Sequence, residues 1–177
     1  MSSTISSPAT GRRWKIGVLL GAGVLVNYID RISLSVAGPQ LQRDFGLSPE
    51  EMGFLFSAFF WSYALCQLPG GLLLDRFGIK TVGRWGTFLW TAASALTALA
   101  SGYAGIFVAR LLLGIAEAPG MIGNQKATGH WFPRNERSRS TAIFDSAAKF
   151  ANVIGVPIVA FFVVRYGWRW GFGISAL

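Results

Sequence analysis

Charge is what this sequence has least of. Asp, Glu, Lys and Arg together make up 14% of its 177 residues, where a water-soluble domain carries about 25%. Cysteine and histidine occur once each, as Cys66 and His130, which excludes a disulfide framework and a thiolate metal site. There is no phosphate-cradling glycine loop, no metal-ligand cluster, and no serine or cysteine nucleophile with a base at a useful spacing. No catalytic residue, metal or organic cofactor is therefore expected, and the chain does not read as an enzyme.

Apolar residues take the place of charge. They make up 52% of the chain, and the mean hydropathy is +0.45, which points to an all-α integral membrane protein. The net charge of +8 would suit a nucleic-acid surface only if the basic residues were gathered on one. They collect instead in short connections at alternate ends of apolar runs, which is a topology signal. The expected partner is the lipid bilayer, with no nucleic acid.

Residues 1–13, Ser/Thr-rich at first, read as a disordered N-terminus. The first span is expected over about 16–40, too long to be the apolar core of a signal peptide. On it Asn27, Asp30, Arg31 and Ser35 form one polar stripe. Asp30 lies about 22 Å along the helix from Lys15, past the bilayer midplane. Ser48-Pro49-Glu50-Glu51 predicts a helix start with a capping box, opening a second span over about 51–74. There Tyr63 and Gln67 share a face, and either line a cavity or simply pack. A third span, about 82–101, has no charge within it and reads as a lipid-side helix. A minimal turn joins it to a fourth, about 104–128. A fifth follows over about 141–164, and 171–177 reads as the truncated start of a sixth. On the fifth, Asp145 and Lys149 at i, i+4 are either a self-neutralising pair or offer Lys149 as an extra anion contact.

The fourth span organises the rest. It carries Arg110 and Glu117, two helical turns and about 10 Å apart on one face. A guanidinium in hydrocarbon costs from about 2.5 to above 10 kcal/mol, so it must face a partner or a wet cavity. Glu117 is the expected counter-charge of Arg110, in a functional or a purely structural pair. Asp30 and Arg31 point about 100° apart, so only one of them can aim at the cavity centre, and Asp30 is the expected one. Orientation follows from counting. Ten Lys/Arg lie in the N-terminus, the 75–84 turn and the 126–139 loop, against three in the opposite connections. The N-terminus is thus expected to be cytoplasmic, in a multi-pass protein of the cell (inner or plasma) membrane.

Gly71-Leu-Leu-Leu-Asp75-Arg76-Phe-Gly78-Ile-Lys80 resembles the signature loop of the major facilitator superfamily, with Ile79 where a basic residue is usual. Asn27-Tyr-Ile-Asp-Arg31, the Arg110 to Pro119 stretch and Trp131-Phe-Pro-Arg-Asn-Glu-Arg137 are similar to the anion:cation symporter branch, which includes galactonate, hexuronate and phthalate carriers. The resemblance implies most of the N-terminal half of a twelve-helix carrier, with the C-terminal half as its missing partner and substrate held between them. It implies that Asp30 and Glu117 take up the coupling proton and that Arg31 and Arg110 lie near the substrate carboxylate. Tyr63 becomes a cavity tyrosine and Asp75 a cytoplasmic latch. Asn27, Gln67 and Lys149 complete the expected substrate contacts, and Gly71, Arg76, Gly78 and Lys80 the gating loop.

The residue types suit that role. Arginine keeps its charge and offers a planar fork to a carboxylate. Desolvation favours a neutral carboxyl and a nearby guanidinium a charged one, so an arriving anion can switch protonation. Proton-coupled symport of an organic anion, such as a sugar acid, is the expected function. Exchange, proton-independent facilitation and a non-transporting membrane role are the alternatives.

Overall fold

A computed structural model describes residues 10–173, and these are helical almost throughout. The elements are α1 (Thr10–Phe45), α2 (Pro49–Leu99), α3 (Tyr103–Trp131), α4 (Arg137–Tyr166) and the short α5 (Trp168–Gly173). Three helical stretches, Gly11–Phe45, Tyr103–Trp131 and Arg137–Tyr166, are long and apolar enough to cross a membrane by length and composition. Residues 1–9 of the expected disordered N-terminus, and 174–177 of the expected sixth span, lie outside the described residues.

Local chemistry sets the ends of these helices. Gly46 takes a left-handed φ of 63°, and Leu47 N–H donates back to Gln42 O at 3.1 Å, the C-terminal geometry that glycine permits after a helix. Leu47 then packs in the same apolar cluster as Leu41. The predicted capping box forms: Glu51 N–H donates to Ser48 Oγ at 3.2 Å, and Ser48 N–H to the Glu51 carboxylate at 2.8 Å. Two full helix ends thus meet across only three residues.

The second and third spans are the two arms of α2, which breaks between them at Gly78 with a non-helical φ 78°, ψ 157°. That region is open to glycine and strained for other residues. Phe59 on the first arm and Ala93 on the second pack in one cluster with Leu113, so the arms fold back on each other. The chain is helical earlier than expected. Arg13, placed by sequence in a disordered segment, is buried and donates to Glu136 at 2.8 Å, while Trp14 meets Phe132 edge-on. Those contacts tie the start of α1 to the α3–α4 connection.

α2 packs chiefly on α3, and α1 on α4, with α5 wedged against α1, α2 and α4. The largest buried cluster gathers Leu34, Leu41, Leu55, Ile106, Val159, Trp168 and Phe172 at the end holding the α1–α2 link. Trp168 is fixed there by donating to Asp44 at 2.8 Å. Outward faces are apolar instead of charged: Leu65, Leu68, Leu72 and Val164 are each more than 70% exposed, as a lipid-facing surface requires. Pro39, Pro69, Pro119 and Pro157 lie inside helices, and Pro119 sits directly against Gly70.

The closest helix approach is at Gly114 of α3. A Cβ there would overlap Ser62 Oγ and lie 2.5 Å from Phe59 O and 2.9 Å from Tyr63 N. Backbone cannot yield as a side chain can, and overpacking costs about 1–3 kcal/mol. Gly114→Ala should therefore lower the thermal midpoint of the detergent-purified carrier. Gly53→Ala, with open space around it, should leave it in place; equal midpoints would show that the α2–α3 contact is not this tight.

Candidate functional site: a cavity with an ion pair in its wall

α1, α2 and α3 enclose a cavity of about 300 Å³. Asn27, Tyr28 and Arg31 enter it from α1, Tyr63, Thr87 and Trp90 from α2, and Glu117 and Asn124 from α3. All three helices contribute the portion nearer the end that holds the Gly78 kink and the α3–α4 connection, so the cavity belongs to that half of the bundle.

Arg31 dominates it. Its Nε donates to Glu117 Oε2 at 2.9 Å, and Nη2 lies 2.8 Å from the same oxygen. The guanidinium stands about 5 Å from the ring centroids of Tyr28, Phe59 and Tyr63, an aromatic cage that suits a planar cation. Glu117 is 5% exposed, and its other oxygen, Oε1, has no hydrogen-bond partner among the described residues.

Asp30 points elsewhere. It is fully buried, and its Oδ2 accepts from Trp90 Nε1 at 2.9 Å and from Ser94 Oγ at 2.8 Å. Arg110, 2% exposed, lies outside the cavity lining with its guanidinium 5.1 Å from the Phe172 ring centroid. Its Nε and Nη2 have no hydrogen-bond partner among the described residues. The charges of Asp30 and Glu117 both act on it.

The structure thus changes the pair that the sequence suggests. Glu117 is held by Arg31 of α1 and not by Arg110 of its own helix, on which the charge of buried Asp30 also acts. Of the adjacent residues 30 and 31, one does face the cavity, but it is Arg31. The third span, expected to be a lipid-side helix, supplies Trp90 and Ser94 to Asp30 and Thr87 to the cavity wall. Thr87, Trp90, Ser94 and Thr97 recur at three- and four-residue spacing, a polar stripe that betrays a buried face without any charge.

Among the other expected contacts, Asn27 and Tyr63 line the cavity, whereas Gln67, half-buried on α2, does not. Lys149 and Asp145 are both exposed on α4 and away from the cavity lining. Among the described residues no ion pair joins them, so the self-neutralising pair is not formed. In the signature stretch, Asp75 is ion-paired with Lys126 of α3, whose ammonium also reaches Gly71 O at 3.4 Å. Arg76 and Lys80 are exposed. Sequence reading missed Lys126 as a partner because it counted that residue with the basic loop.

Comparison with known proteins gives this arrangement a family. The model of the Major Facilitator Superfamily matches residues 20–177. The chain belongs to that superfamily. Among its relatives, the probable galactarate/D-glucarate transporter GudP of Escherichia coli K12 is 40% identical over 94% of the chain. The uncharacterized transporter YybO of Bacillus subtilis is 44% identical over 90% of it. A D-galactonate transporter of E. coli O6:H1 is 34% identical over 93%. The chain spans only 37–38% of the length of these relatives. In fold it is similar to a bacterial homologue of the human lysosomal transporter Spinster, with a TM-score of 0.85 over 96% of the chain and 41% of that protein, at 18% identity. This major facilitator chain is therefore a helical membrane bundle that matches less than half of a family member.

Proposed function

We propose that this chain forms most of the N-terminal half of a carrier that moves an organic anion, of the sugar-acid type, together with a proton. The observation that carries the reading is the Arg31–Glu117 pair, a half-buried guanidinium in an aromatic cage on a buried carboxylate, lining a cavity. In the empty carrier Glu117 neutralises Arg31. An entering carboxylate offers the guanidinium the same planar, charge-assisted contact, and Glu117 is released. A carboxylate left without its cation in a poorly solvated site binds a proton, so anion and proton enter together. The relatives named for galactarate, glucarate and galactonate support this substrate class. Asn27, Thr87 and Asn124 in the cavity wall supply neutral partners for hydroxyl groups.

The proposed topology is five spans and the start of a sixth, with the N-terminus in the cytoplasm and the carrier in the cell's inner or plasma membrane. α4 then turns Asp145 and Lys149 toward the C-terminal half, since two charges on an outward face would be costly in lipid. Asp75, held by Lys126, serves as the latch that such a half would engage.

Glu117→Gln in the full-length carrier, reconstituted in liposomes, tests the coupling. Accumulation driven by a pH gradient should fall at least about tenfold, the scale of one lost charge-assisted contact, while exchange of labelled for unlabelled anion persists. Undiminished accumulation under the gradient would point to exchange or facilitation without a proton.

A further inference from the structure

A second groove opens at the end of the bundle where basic residues concentrate. It has a volume of about 470 Å³ and is lined by Ile79 and Lys80, just past the Gly78 kink, and by Ala127, His130 and Trp131 of the last turn of α3. It is lined by the apolar Ile79 and Ala127 and by one fixed cation, Lys80. Lys80 and His130 are both exposed, and among the described residues neither is in an ion pair. Among the described residues no acid lines the groove. Asp75, at the same end, is already held by Lys126. Trp131 is half-buried, and indoles favour the level of lipid headgroups.

We infer that this groove binds the headgroup of an anionic phospholipid from the leaflet at the basic end of the bundle. The charges match: the ammonium of Lys80 and a ring N–H of His130 are donors for a phosphodiester, and basic recesses between membrane helices hold such headgroups. The apolar lining explains why a lipid fits better than a free phosphate, which would leave Ile79 and the Trp131 ring uncovered. The groove also lies beside the signature loop. Lys126 is four residues before His130, one helical turn away on the same face.

The test uses the purified full-length carrier, stripped of lipid and returned to phosphatidylglycerol or phosphatidylcholine, with bound lipid counted by native mass spectrometry. It reads binding alone, so its outcome is independent of whether the carrier moves a sugar acid with a proton. Phosphatidylglycerol should stay bound to the wild type and phosphatidylcholine should not. Lys80→Gln should weaken retention about fivefold, the effect of one basic residue near a membrane surface, and Lys80→Gln with His130→Gln should weaken it further. The control Arg12→Gln with Lys15→Gln removes two exposed basic residues from the same end and should change retention little. Equal losses in the control and groove variants would mean diffuse attraction to basic charge and would overturn the site. Equal retention of phosphatidylcholine, or full displacement of phosphatidylglycerol by inorganic phosphate, would overturn it too. If the double variant does not fold, Lys80→Gln alone decides.

Discussion

Arg31→Ala in the full-length carrier should reduce anion uptake by about 10²-fold or more. Truncating one member of a buried, hydrogen-bonded charge pair costs about 2–5 kcal/mol; here the carboxylate left behind is the buried member and the lost guanidinium half-buried, and the lost group is also the proposed docking point for substrate. The guanidinium holds Glu117 through both Nε and Nη2 and is surrounded by Tyr28, Phe59 and Tyr63. Lysine keeps the charge but loses the planar fork, so Arg31→Lys should recover only part of the activity and bind substrate more weakly. Arg165→Ala, at an exposed helix end, controls for a general loss of positive charge. Uptake and equilibrium binding measured on the same preparations separate docking from folding. Wild-type affinity in Arg31→Ala would remove this residue from the site and with it the exchange of partners proposed for Glu117.

The second large effect concerns folding. Arg110→Leu should sharply lower the yield and thermal stability of the inserted protein. It removes a positive charge that acts on buried Asp30, and stranding a buried charge costs about 3–5 kcal/mol. Adding Asp30→Asn should restore much of that stability. The amide oxygen can still accept from Trp90 and Ser94, which hold Oδ2 in the native chain, and no charge is stranded. Thermal midpoints of the wild type, both single variants and the double variant form a complete cycle. A double variant no better than Arg110→Leu would mean that residues 30 and 110 do not compensate each other. The same would follow if Arg110→Leu were as stable as the wild type.

What the sequence discloses depends on how far each interaction reaches. The Ser48–Glu51 capping box spans three residues, so residue identity and spacing suffice to read it. The polar character of α1 and α3 is equally plain, because charges inside apolar runs stand out. Partner choice is not local. Arg110 and Glu117 share a helical face, which suggests a pair, but Arg31 reaches across from α1 and takes Glu117. Helical periodicity says that residues 30 and 31 diverge; it does not say which direction is inward, since that depends on where α1 meets α2. The third span misled for a related reason. A helix without charge looks like a lipid-side helix until Trp90 and Ser94 are seen donating to an acid on a neighbour. Lys149 misled in the opposite sense: a charge within an apolar run need not reach the nearest cavity, and this one sits on an outward face of α4.

Because α2 breaks at the single residue Gly78, its two arms are joined at one flexible point. Asp75 rides near the elbow on the first arm, and Trp90 rides on the second, at the depth of Asp30. Any swing that frees the carboxylate at the elbow must either be absorbed in the torsions of one glycine or be felt by the indole at the far contact. A single residue without a side chain therefore decides how much of the motion at the membrane surface arrives in the interior.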